Sequence, residues 1–157
     1  MSVLTYLYPK NLEPLAVENL LPAVRAKVEH VALTELELRK TALPDWESLT
    51  FIHPSEPDAM FLFVASRNSK DNRKELEELY AKSPQMSVVR SARKCVWTQL
   101  KAPLKLPLKR LTQCWANHVA LIAAVADVGN AVIDSPENEK LFTSASFLRH
   151  HRKHSRR

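Results

Sequence analysis

A single glycine, Gly129, in 157 residues is the tightest limit on what this chain can build. Glycine supplies positive-φ turns and lets backbone approach a phosphate closely. A glycine-rich phosphate loop, a GxGxxG fingerprint and a nucleophile elbow are therefore excluded. Ten prolines break the chain instead, and 45% hydrophobic with 25% charged residues is the balance of a soluble globular protein able to bury a core. The length suits one compact domain, or a small domain with an appendage.

Charge is unevenly spread. Residues 1–78 hold 9 Lys/Arg and 13 Asp/Glu, whereas residues 79–157 hold 14 and 4, giving local nets of −4 and +10. No acid occurs from Leu79 to Ala126, and the chain ends in the basic run Arg149 to Arg157. Such a field attracts a polyanion, because neutralised phosphates release condensed counterions. An acidic protein surface is the competing partner, and a nuclear import signal is another reading of the terminal run.

Cys95 and Cys114 have no CxxC partner and read as reduced residues in or near the core. Met1 to Tyr8 lacks a basic n-region, and the longest apolar stretch, His118 to Ile133, contains Asp127 and Asn130. Neither a signal peptide nor a membrane span is expected. The expectation is an intracellular, soluble protein without cofactor or metal, cytoplasmic or, in a eukaryotic host, nuclear.

Patterning predicts a strand over Val3 to Tyr8, a helix from Asn19 to about His30, and a strand over Val31 to Arg39. A proline-punctuated connection follows over Thr41 to Asp58, with a short strand at Leu49 to Ile52. Met60 to Ser66 reads as a strand, Ser69 as the cap of a helix over Lys70 to Lys82, and Ser87 to Ala92 as a last strand. The order β-α-β-β-α-β predicts an α+β, ferredoxin-like antiparallel sheet. Residues 1–100 would form this domain, 101–110 a basic proline-rich linker, 111–148 a helical extension and 149–157 a basic disordered tail. The extension's helices are expected over about Lys109 to Val128 and Pro136 to His150. Trp115 and His118 read as packing residues.

Leu7-Tyr8-Pro9-Lys10-Asn11-Leu12 resembles the RNP2 segment of RNA-recognition motifs, and Met60 to Ser66 (MFLFVAS) resembles the second part of RNP1. The resemblance covers about residues 3–92. It implies that Tyr8, Phe61 and Phe63 form an exposed platform on which unpaired bases stack. Lys10, Arg90, Arg93, Lys94, Lys101, Lys105, Lys109, Arg110, Arg149, Arg152, Lys153, Arg156 and Arg157 would then hold phosphates. The competing reading places the three rings in a core covered by the C-terminal helices.

Asp45, Glu47, His53, Glu56 and Asp58 gather in one segment, but their spacing matches no ligand motif; a small ribonuclease using His30 or His53 is the enzymatic alternative. The leading expectation is non-enzymatic binding of single-stranded nucleic acid, RNA before DNA, within a larger ribonucleoprotein. A protein–protein adaptor of the same fold, docking an acidic surface, is the rival.

Overall fold

The computed structural model describes residues 4–28, 31–37 and 46–155, with side chains for all of these except 32–37 and 153–155. The chain is α+β. Its strands are β1 (Thr5–Tyr8), β2 (Ala32–Glu37), β3 (Ser48–His53), β4 (Glu56–Arg67), β5 (Lys94–Lys101), β6 (Val132–Ser135) and β7 (Lys140–Phe142). The helices are α1 (Val17–Arg25), α2 (Lys70–Tyr80), α3 (Met86–Ser91), α4 (Leu108–Val128) and α5 (Ser144–Ser155). The strands form one sheet in the order β2-β3-β4-β5-β1-β6-β7, and every neighbouring pair is antiparallel.

Several expectations hold. Ser69 caps α2, its Oγ accepting from the Asn72 N–H at 3.1 Å, as a serine before a helical run should. The long amphipathic helix forms as α4, turning Cys114, His118, Leu121, Ile122 and Val125 inward.

Others are corrected. Ser87 to Ala92 is not a strand: Ser87 to Ser91 belong to α3 and Ala92 is its C-cap, because Met86 and Val89 (three apart on one helical face) both seat in the core. The next strand is β5. Pro136 to His150 is not one helix: only Pro136–Asn138 turns, as a 3-10 helix ended by Glu139 at φ 50°, and helix resumes at Ser144. β6, just before this turn, and β7, just after it, continue the sheet beside β1, so strands within residues 132–142 share the sheet of residues 1–100. The strand order therefore departs from the ferredoxin-like plan. The expected tail begins inside α5, where His151 packs on Trp115 and Phe147 and His150 contacts Phe142.

One face of the sheet is covered by α1, α4 and α5, burying Leu7, Phe51, Phe61, Phe63, Val96 and Ile133. Among the described residues the other face is covered only in part, where α2 and α3 bring Leu76, Met86 and Val89 onto Tyr8, Cys95 and Val132. Gly129 serves close approach: a Cβ there would meet Leu15 side-chain atoms at 3.1 to 3.3 Å. Its carbonyl accepts the N–H groups of Lys10 and Asn11, fixing the turn after β1.

Candidate nucleic-acid interface

The expected platform does not form. Alternation along β4 sends Phe61 and Phe63 together to the face under α4, where Phe61 stacks on His118 with ring centroids 5.7 Å apart and Phe63 meets Phe51 edge-on at 5.5 Å. Tyr8 points to the opposite face and is equally buried, under α2 and α3. Its hydroxyl accepts from Asn72 Nδ2 at 3.0 Å, and burial drives its pKa well above the ordinary range. All three rings are core residues, each about 1% exposed.

The aromatic residues on the partly covered face are Tyr6 and Trp97, direct cross-strand partners on β1 and β5. Both are half-buried. The residue across from Trp97 on β4 is Val64, and the next on that side of β4 and β5 are Leu62 with Gln99, then Met60 with Lys101. Met60 is 40% exposed and Leu4 38%, and Lys101 is exposed at the strand end. The residue types of Lys94–Lys101 do not alternate; the signal that could have found Trp97 is the strand-favouring run Val96-Trp97-Thr98.

The expected cations divide among several places. Lys101 leads into the exposed stretch carrying Lys105 and Lys109. Arg110 is committed elsewhere: its Nε and a terminal amine donate to both Glu56 carboxylate oxygens at 2.6 Å, tying the start of α4 to the start of β4. At the opposite end of β5 stand Lys94 and Arg93, with Lys10 beside Arg93 in one groove. At about 3.3 Å per residue, Lys94 and Lys101 are about 23 Å apart. Arg90 donates to both oxygens of Glu77. Arg149 lines a cleft of about 870 Å³ with Lys82 and Lys140, alongside Glu78 and Glu139. Arg152 is exposed on α5. The Lys153 side chain, Arg156 and Arg157 lie outside the described residues, as do His30 and Asp45.

Burial shifts several titratable groups toward their neutral forms. Desolvation lowers the His118 pKa to about 3, leaving a neutral ring bonded to Thr98 Oγ1 at 2.9 Å. Burial raises the Cys95 thiol to about 11, the nearby Asp134 charge adding to the effect. Burial likewise raises Asp134 to about 6, against the hydrogen bond from Tyr80, whose hydroxyl donates to Oδ1 at 2.9 Å. His53 Nδ1 lies 2.6 Å from Ser55 Oγ in an exposed turn. Among the described residues no group of three or more His, Cys, Asp or Glu is placed to hold a metal ion, and no helix is long and apolar enough to cross a membrane. No family model, no curated protein and no solved structure matches this chain.

Proposed function

We propose that the chain binds single-stranded nucleic acid without chemistry, on the partly covered sheet face. The observation that carries this reading is the Tyr6–Trp97 pair, two half-buried rings set directly opposite one another. Rings held on a rigid sheet offer flat apolar surfaces to bases of any sequence. Lys101 on the same face, with Lys105 and Lys109 just beyond it, supplies charge for the backbone phosphates. The interface is thus the opposite side of the sheet from the one bearing Phe61 and Phe63.

A second reading rests on Leu4 and Met60, exposed apolar side chains near the same rings: the face would dock a protein, as an adaptor does. Binding of a labelled polyuridine oligomer across a salt series separates the two. The nucleic-acid reading requires log K to fall linearly with log salt, by about 0.7 per phosphate contact on a single strand. Negligible oligomer binding at physiological salt refutes it and leaves the adaptor.

A further inference from the structure

Four cations meet at the end of the sheet away from Lys101. Arg67 ends β4 and Lys94 opens β5, and the two are direct cross-strand partners. They continue the side of the sheet that holds Ala65 and Val96. Like charges directly opposite in an antiparallel pair destabilise it, so the free protein carries a local cost here. Lys10 and Arg93 line an adjoining groove of about 480 Å³ with Pro9, Asn11 and Ser91, and Glu13 is the one acid among the described residues on its wall. Extending the β1–β5 register by two residues sets Pro9 across from Lys94, which brings this groove against the Arg67–Lys94 pair. Lys10, Arg67, Arg93 and Lys94 enter none of the ion pairs among the described residues, which join Lys27 to Asp127, Arg90 to Glu77 and Arg110 to Glu56.

The scaffold under this cluster is fixed. Asn68 is buried next to Arg67; its Nδ2 donates to the carbonyls of Val89 and Ala92 at 3.0 and 2.9 Å. Its backbone N–H donates to the Arg93 carbonyl at 3.0 Å. One residue thereby ties the end of α3 (through its side chain) and the Arg93 backbone (through its own N–H) to β4. On the other side the Gly129 carbonyl holds Lys10 and Asn11 by their N–H groups at 3.1 and 3.0 Å. Cations on a rigid frame, two of them guanidinium forks suited to phosphate oxygens, form a preorganised anion site.

We propose that this sheet end is a phosphate-binding site, taking a terminal phosphate or a pyrophosphate group between the Arg67–Lys94 pair and the Lys10–Arg93 groove. The bound anion would offset the cross-strand repulsion. The site stands independently of the sheet-face reading. Its phosphate has two sources, a free phosphate compound or the 5′ end of a nucleic acid, and the arms of the test separate them.

The parent chain and the variant Arg67→Gln/Lys94→Gln are melted with and without pyrophosphate. Both are also titrated with decauridylate bearing either a 5′-phosphate or a 5′-hydroxyl. Without ligand the variant should melt higher than the parent, since repulsion is relieved. Pyrophosphate should raise the melting temperature of the parent and leave the variant unmoved. A preference of about tenfold for the 5′-phosphorylated oligomer, lost in the variant, assigns the site to a strand end. Stabilisation by pyrophosphate without oligomer binding keeps the site, assigns it to a free phosphate compound, and removes the nucleic-acid reading of the sheet face. Absence of both pyrophosphate stabilisation and 5′-phosphate preference overturns the proposal, whatever the hydroxyl oligomer does. Should the double variant melt lower, Lys10→Gln in the groove wall provides the same comparison, and its failure to weaken either response also overturns the proposal.

Discussion

Replacing Asp134 by Asn should change how stability depends on pH. Asp134 is 4% exposed on β6, beneath Tyr80 of α2, whose hydroxyl it accepts. Burial is the largest cause that raises its pKa from 3.8 to about 6, and the Glu75 carboxylate adds to it. The folded state therefore holds a proton that the unfolded state has released between about pH 4 and pH 6. This contribution is fully present below pH 4 and is lost as pH rises through 6. The difference between 3.8 and about 6 corresponds to about 2 to 3 kcal/mol. Asp134→Asn keeps an oxygen for Tyr80 and carries no charge. Any fixed cost of its amide is the same at every pH, so the diagnostic quantity is the change in ΔΔG across the range. Urea unfolding at pH 4, 5, 6, 7 and 8 should show the variant gaining about 2 to 3 kcal/mol on the parent between the ends of the series, at unchanged m-value. His118 titrates identically in both proteins and cancels. A ΔΔG that is flat with pH would refute the claim that this carboxyl is buried against its ionisation.

His118 itself should act with the opposite sign. The parent loses stability as pH falls below 6.5 toward 3, because only the unfolded state takes up the proton, and His118→Gln should remove that acid-side loss in the same titration. Phe61→Ala should cost about 3 to 5 kcal/mol in urea unfolding, the range for a core phenylalanine; a cost below 1 kcal/mol would return the ring to the surface. Arg110→Ala leaves Glu56, whose side chain is 9% exposed, without its bidentate partner, and should cost about 1 to 3 kcal/mol by the same assay. Cys95, with its thiol raised to about 11 and buried, should react with a disulfide reagent only at the rate of local or global opening, and at the rate of a small thiol in denaturant.

Legibility in the sequence followed the range of the interactions. The Ser69 cap, the apolar run of β4 and the amphipathic face of α4 rest on local contacts and could be read directly. Ser87 to Ala92 misled because two adjacent valines favour a strand locally, while the pocket under Tyr8 and Cys95 takes residues three apart on a helix. The helix-start pattern at Asp134-Ser135-Pro136-Glu137 is satisfied by a single 3-10 turn; what makes Val132–Ser135 a strand is pairing with β1, more than 120 residues earlier. The rings failed for a related reason. Alternation within β4 correctly put Phe61 and Phe63 on one side, but the side taken by Tyr8 depends on the register of β1 against β5 and β5 against β4. β5 was hidden between lysines ahead of a proline-broken stretch. Its recognition would have brought Trp97 opposite Tyr6 and exposed the error.

The most direct measurement is the affinity of a labelled oligouridylate for the parent chain, Tyr6→Ala and Trp97→Ala at one fixed salt concentration, with circular dichroism confirming that each variant is folded. Each substitution should weaken binding by about 1 to 3 kcal/mol, the contribution of a ring that stacks on a base. Parental affinity in both folded variants would contradict it.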